Sequence, residues 1–286
     1  MQRHLDWRAR LVVAAIAAAM AFVVCGRSGA TGAPQRELRV CADRNNLPFS
    51  DDRGAGFENQ LAELLAADLR AKLSYFWAPQ RRGFIRNTLN RGACDLVMGV
   101  PSALADVQTS RPYYRSSYVF VLGPSAPRVH SLDDTELRDL KIGVPLVGDD
   151  GNNPPPVLAL ALRGLVTNVR GYSVYGDYRS ESPPADLIRA LRRHDIDVAI
   201  AWGPLAGYYA NRGQPRLRIT PLRETEAPPG LAFAFDISIG VRKGDDRLLA
   251  DVNRTLERQR VRINALLARY SVPISRSNDS AGDLHQ

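Results

Sequence analysis

The sequence predicts an α/β fold of two lobes joined by extended crossings, and three observations predict it. Between residues 38 and 100, apolar strand patterns alternate with helical ones, the order that builds a parallel sheet with right-handed crossovers. At Tyr113–Leu122 this rhythm gives way to one long extended apolar run, which fits a strand crossing between lobes. From Leu140 a second β/α unit begins, and after it Leu231–Val241 supplies another extended run.

The elements follow in order. Leu38-Arg39-Val40-Cys41-Ala42 reads as a short strand, and Asp43-Arg44-Asn45-Asn46-Leu47-Pro48-Phe49 as a loop rich in turn formers. Gly54 and Gly56 punctuate the entry to a helix, where Phe57, Leu61, Leu64, Leu65 and Leu69 form one apolar stripe. Lys72 to Trp77 alternates as a second strand, a helix is expected around Gly83–Arg91, and Asp95–Val100 is an apolar third strand. In the second half, Leu140-Lys141-Ile142-Gly143-Val144 starts a strand. Gly148–Asn153 and the three prolines after it read as a loop rather than helix or sheet interior. Asp186–Arg193 is a helix with Leu187, Ile188 and Leu191 inward, and Asp197–Ala201 a buried strand ending at Trp202-Gly203-Pro204. A long amphipathic helix carrying Leu248, Leu249, Val252, Leu256, Ile263, Leu266 and Leu267 closes the chain. No internal repeat or low-complexity tract interrupts it.

Composition narrows the chemistry. The 286 residues are 45% hydrophobic and 24% charged, as in ordinary globular proteins. The net charge is +8, and of 38 basic residues all but Lys72, Lys141 and Lys243 are Arg. They are scattered rather than massed in a tract, so no nucleic-acid partner is expected. Four His and three Cys leave too few soft ligands for an ordinary zinc site.

Residues 1–30 have the layout of a secretory signal peptide. Arg3, Arg8 and Arg10 precede an apolar run from Leu11 to Cys25, with Ser28-Gly29-Ala30 as small residues for cleavage. The run is shorter than the roughly twenty residues a membrane span needs, so no transmembrane segment is expected in the mature chain. Lipid attachment at Cys25 is the alternative, opposed by the β-branched Val24 before it. Cleavage near Ala30 leaves Cys41 and Cys94, which an exported chain can pair as a disulfide or keep as two buried thiols.

Catalytic patterns are poor. There is no phosphate-binding Gly-rich loop ending in Lys-Ser/Thr, no His-Glu-x-x-His and no Cys-x-x-Cys. Gly171-Tyr172-Ser173-Val174-Tyr175-Gly176 approaches a nucleophile elbow, but its second Gly falls one residue late. His130 and His194 have no evident Asp or Ser partner, and the aspartate doublets sit where turns and caps use them. No catalytic residue and no metal ligand is assigned.

Ligands of open parallel sheets gather outside the carboxyl ends of the strands. The loops expected there carry Asn45, Asn46 and Phe49; Arg81, Arg82 and Phe84; Pro101 and Ser102; and Arg111, Tyr113 and Tyr114. The second lobe adds Asp149 and Trp202. Aromatic, amide and guanidinium groups on one cleft suit recognition of a polar or planar partner. The plainer alternative makes Tyr113 and Tyr114 hinge packing, and Arg81 and Arg82 a solvated helix start.

The same residues carry a family resemblance. Gly56-Phe57-Glu58, Gly92-Ala93-Cys94-Asp95-Leu96-Val97, Arg111-Pro112-Tyr113-Tyr114, Leu140-Lys141-Ile142-Gly143-Val144 and Ile239-Gly240-Val241-Arg242-Lys243-Gly244-Asp245 resemble the family 3 extracellular solute-binding proteins. More narrowly, Asn45-Asn46-Leu47-Pro48-Phe49-Ser50 and Trp77-Ala78-Pro79-Gln80-Arg81-Arg82-Gly83-Phe84 resemble the MoxJ/MxaJ/XoxJ group, as do Asp95-Leu96-Val97-Met98-Gly99-Val100-Pro101. That group accompanies PQQ-dependent methanol and alcohol dehydrogenases.

The resemblance implies a type II periplasmic binding protein fold with a hinge and an inter-lobe cleft. Lobe 1 would comprise residues 34–123 and 222–274 and lobe 2 residues 124–221, with 275–286 a disordered tail. It further implies a monomeric, periplasmic, non-enzymatic accessory protein that aids assembly or activation of a quinoprotein alcohol dehydrogenase. The dehydrogenase, its cytochrome c, and PQQ as a transient ligand are the partners implied, with no cofactor of the chain's own. An ABC-transporter receptor for a small polar solute is the alternative, and a periplasmic hydrolase a distant third. One departure matters. Where amino-acid-binding members place an Arg that clamps the ligand carboxylate, this chain has Ser102-Ala103-Leu104-Ala105-Asp106, which puts ordinary amino-acid capture in doubt.

Overall fold

The computed structural model describes residues 36–146, 153–173, 178 and 182–275. The segment expected as a signal peptide, with Cys25, the expected cleft residue Asp149, and residues 276–286 of the expected tail lie outside the described residues.

The first lobe begins with β1 (Glu37–Ala42), the short pair β2 (Asn45–Asn46) and β3 (Ser50–Asp51), then α1 (Phe57–Asp68) and β4 (Lys72–Trp77). There follow α2 (Phe84–Asn87), a 3-10 turn at Leu89–Arg91, β5 (Leu96–Pro101) and β6 (Gln108–Thr109). The crossing strand β7 (Tyr114–Leu122) leads to β8 (Ile142–Leu146), α3 (Pro155–Leu162) and β9 (Val169–Ser173). Next come α4 (Asp186–Arg192), β10 (Val198–Trp202), α5 (Gly203–Ala210) and β11 (Arg218–Pro221). The chain returns through β12 (Ala234–Val241) and closes with α6 (Asp246–Arg258) and α7 (Arg260–Arg269).

One sheet runs through the whole described chain in the order β4-β1-β5-β12-β7-β10-β8-β9. Strands β4, β1 and β5 are parallel, as are β10, β8 and β9, while β12 and β7 run antiparallel to each other and to their outer neighbours. The two crossing strands therefore weld two parallel α/β units into one ladder. One apolar cluster continues across the weld, from Leu38, Phe57 and Leu61 through Val119 and Val121 to Leu187, Ala201 and Leu205. A second fills the other face of the distal unit around Phe120, Ile142, Leu160 and Phe233. A third surrounds a Cys41–Cys94 disulfide, whose Cα atoms are 5.5 Å apart, with Phe84, Leu89, Val97 and Val100. Cys41 is in register with Val97, so Cys94 reaches it from just before β5.

Three expectations are corrected. The prolines after Asn153 do not keep the chain out of a helix, because Pro155 and Pro156 open α3, where their missing N–H groups have no intrahelical partner to lose. The helix expected over Gly83–Arg91 breaks into α2 and the 3-10 turn at Thr88. The closing helix also bends, splitting at Gln259. Between Leu256 and Ile263 the chain offers no inward apolar anchor, and Val261 points to solvent at 80% exposure.

Candidate functional site

The site is organised by a group the loop pattern did not single out. Asp43 follows β1 directly and is fully buried. Its Oδ1 accepts the Asn45 N–H at 3.0 Å and its Oδ2 the Gln80 N–H at 2.9 Å, so one carboxylate ties together the loops after β1 and β4. Gln80 Oε1 in turn accepts the Asn46 Nδ2–H at 2.9 Å, while Asn46 Oδ1 is buried without a donor among the described residues. The Asn45–Phe49 loop is clasped from behind as well. Phe57 and Glu58 at the start of α1 donate their N–H groups to the carbonyls of Pro48 and Phe49, at 2.8 and 2.9 Å. Gly56 is required there, since a Cβ would stand 2.0 Å from the Phe49 carbonyl oxygen.

Residues of the second half close onto this loop. The Tyr178 hydroxyl donates to Asp43 Oδ1 at 3.1 Å. Tyr209, on α5, donates to the Leu47 carbonyl at 3.1 Å, with Ser182 Oγ 2.7 Å from its hydroxyl. Burial, then the Asp43 charge, pushes the Tyr178 phenol up, against the pull of Arg44 and Arg81. Burial raises Tyr209 to about 12, with Ser182 opposing. Both hydroxyls therefore stay protonated and remain donors across the mouth.

Beside the mouth lies an open depression of about 470 Å³ between Gln80–Arg86 and Gly99–Asp106. Arg81, Arg82 and Arg86 are exposed around it, as is Asp106 opposite. Phe84 and Val100 form its floor and reach down into the disulfide cluster. A planar or extended anionic group fits such a rim, because guanidinium forks pair with carboxylates bidentately.

The thirteen residues singled out from sequence thus separate. Asn45, Asn46 and Arg81 gather near the mouth, and Arg81, Arg82, Phe84 and Pro101 line the depression. Ser102 Oγ lies 2.7 Å from Ser238 Oγ, linking the end of β5 to β12. Phe49 packs inside on Phe57 at 5.5 Å between ring centres, and Tyr114 on Phe57 at 6.1 Å. Tyr113 is buried with its hydroxyl 3.3 Å from Glu58 Oε1. Trp202 packs on Tyr118 and Phe235, on the crossing strands. Arg111 points instead to the bend between α6 and α7, and Asp149 is outside the described residues.

Glu58 is a second group the loop pattern passed over. Gly99, at φ 71°, leaves the space its carboxyl fills, for a Cβ there would meet Glu58 Oε1 at 2.4 Å. Desolvation raises this carboxyl to about 8, and the Tyr113 hydroxyl offsets only part of that. Asp43 could be suspected from an aspartate directly after a strand and before Asn-Asn; no local signal marks Tyr178 or Tyr209. Among the described residues no group of three His, Cys, Asp or Glu is placed to hold a metal ion. Nor is any described helix long and apolar enough to cross a membrane.

Two parallel α/β units joined by antiparallel crossing strands, with loops from both meeting at strand carboxyl ends, define a periplasmic binding protein fold. No family model matches the chain. The solved periplasmic binding protein XoxJ from Methylobacterium extorquens AM1 is 33% identical, with a TM-score of 0.68, covering 84% of this chain and 100% of that one. Protein MoxJ of Methylorubrum extorquens is 28% identical over 244 residues, 83% of this chain and 81% of its own length. Protein MoxJ of Paracoccus denitrificans is 27% identical over 254 residues, 83% of this chain and 88% of its own. The chain belongs to the MoxJ/MxaJ/XoxJ family of periplasmic binding proteins, within the solute-binding family 3 fold.

Proposed function

We propose that this chain is a periplasmic, non-enzymatic accessory protein of a PQQ-dependent methanol or alcohol dehydrogenase, gripping an extended segment of the enzyme or its cofactor at the arginine-rimmed depression. The observation that carries this reading over a solute receptor is the self-contact at the mouth. Asp43–Tyr178 and Leu47–Tyr209 occupy polar groups that a small solute between the lobes would need. The depression beside them stays open, with exposed guanidinium groups over an apolar floor. Arginine over an apolar floor is a frequent anchor of protein interfaces, and the carboxylates of PQQ meet the same chemistry.

The test is calorimetric titration of the mature protein with the apo-dehydrogenase, with and without PQQ. Saturable binding is expected, weakened by about tenfold or more in Arg81→Ala/Arg82→Ala, as loss of two charge-assisted contacts implies. No heat with either form, together with a thermal shift on adding a small polar solute, would return the chain to the transport receptors.

A further inference from the structure

Arg111 reads from the sequence as a cleft residue, and the structure gives it a different neighbourhood. Its backbone N–H donates to Asn253 Oδ1 at 2.8 Å, which fixes the segment before β7 against α6. Its side chain lines a cavity of about 360 Å³ at the elbow where α6 ends and α7 begins, a size that accepts a few side chains or a small ligand. Arg260, the first residue of α7, lines the same cavity, and the buried Leu256 and Ile263 back it from the core.

Some arginines on and beside α6 are paired with carboxylates. Arg36 and Arg254 share Asp251, and Arg258 pairs with Asp68. Arg111 and Arg260 have no carboxylate within ion-pairing distance among the described residues, although Glu257 lines the same cavity. Asn264 adds an amide beside them. Val261, next to Arg260, is 80% exposed. Unpaired guanidinium groups, a neutral amide and a protruding aliphatic side chain make a surface complementary to acid and hydrocarbon together.

We propose that this elbow docks an acidic, partly apolar peptide segment of a protein partner, with its carboxylates on Arg111 and Arg260. Asn264 and Glu257 meet the peptide groups of the segment, and Val261, beside Arg260 on the rim rather than in the cavity lining, meets its apolar side chains. Glu257 also disfavours a bare polyanion, which keeps the surface from binding any acidic chain equally. The elbow is separate from the depression at Arg81 and Arg82 and does not depend on what that depression binds.

The experiment uses the mature protein and a short, end-capped, fluorescein-labelled peptide of alternating Glu and Leu, read by fluorescence anisotropy. Saturable binding is expected, with no binding of the matching Lys/Leu peptide. Arg111→Gln/Arg260→Gln should weaken it about tenfold, the sum of two exposed ion pairs, and Arg81→Ala/Arg82→Ala should leave it unchanged. Equal binding by the Arg111/Arg260 variant, or by the Lys/Leu peptide, would overturn the proposal. So would displacement of the peptide by an equimolar amount of free glutarate, which would make the elbow a small-carboxylate site. Should the double variant fail to fold, Val261→Glu repeats the test by placing a like charge against the peptide; unchanged affinity there would also overturn it. Peptide binding that persists while the dehydrogenase titration fails would count against the cleft reading alone, and the reverse against the elbow alone.

Discussion

The mouth between the lobes and the elbow between α6 and α7 draw on the same residue types and rest on the same aromatic core, yet they treat polar groups in opposite ways. Phe57 packs on Phe49 behind the mouth and on Tyr114, which in turn meets Tyr113 behind the elbow at 5.0 Å. At the mouth, Asp43 is buried and takes three hydrogen bonds from three separate segments of the chain. At the elbow, Arg111 and Arg260 stand exposed without an ion-pair partner among the described residues. Burial explains the difference. A buried carboxylate must be satisfied within the protein or it destabilises the fold, whereas an exposed guanidinium is satisfied by water and remains available to a partner. Self-satisfied groups hold a conformation, and water-satisfied ones recognise.

Removing the support beneath the mouth should have the largest effect. The Cys41–Cys94 bridge closes a separation of 53 residues under the Arg81–Phe84 segment. Cys41→Ser/Cys94→Ser is expected to lose about 2–5 kcal/mol in urea unfolding. A loss below about 1 kcal/mol would mean that the packing of Phe84, Leu89 and Val97 holds the floor without it.

Next is the carboxyl shared by both regions' aromatic core. Glu58 titrates near 8 in the folded chain against 4.5 for a free glutamate, so the folded state keeps a proton that the unfolded state releases. Its contribution is fully present below about 4.5 and is lost progressively as pH rises to about 8. The urea midpoint should therefore fall across that window, and Glu58→Gln should flatten the fall. Parallel curves for the two proteins would contradict a neutral, buried Glu58.

Asp43→Asn tests the mouth itself. Whichever oxygen it replaces, the amide NH2 meets a backbone N–H, that of Asn45 or of Gln80, at a cost of about 1–3 kcal/mol. Small-angle scattering should show a larger radius of gyration as Tyr178 lets go; an unchanged radius would mean that Tyr209 and the shared core keep the lobes together. The smallest effect belongs to the elbow. Arg111→Gln/Arg260→Gln should alter stability by less than about 0.5 kcal/mol, since no intramolecular ion pair is lost. A larger loss would erase the contrast between the two regions.

Much of this architecture was legible from local pattern. The run Lys72–Trp77 is the observed strand to the residue, and of the stripe Phe57, Leu61, Leu64, Leu65 and Leu69 the chain buries Phe57, Leu61 and Leu65 and half-buries the other two. Alternation and helical spacing report which side of an element faces the core, and here α1 buries most of its stripe while β4 lays Leu73 and Tyr75, half-buried, against the core. Pattern misled where a residue's role depended on its position within an element, as with the prolines that open α3 and the bend at Gln259. It also could not sort the site residues. Arg-Pro-Tyr-Tyr occurs as one motif, but the strand that begins at Tyr114 turns Tyr113 inward to Glu58 and leaves Arg111 outside at the elbow.

The sequence by itself determined the α/β class, the alternation of elements, the crossing runs and the two cysteines able to pair, because these depend on contacts within a few residues or on composition. Only the tertiary structure decided that Asp43 gathers three segments, that Tyr178 and Tyr209 close the mouth, that Glu58 is a buried acid, and that Arg111 and Arg260 share a cavity. The Tyr178–Asp43 bond spans 135 residues of chain and the Tyr209–Leu47 bond 162. Partners that far apart leave no periodic trace in either segment, since they are chosen by how the crossing strands and packed core set one lobe against the other.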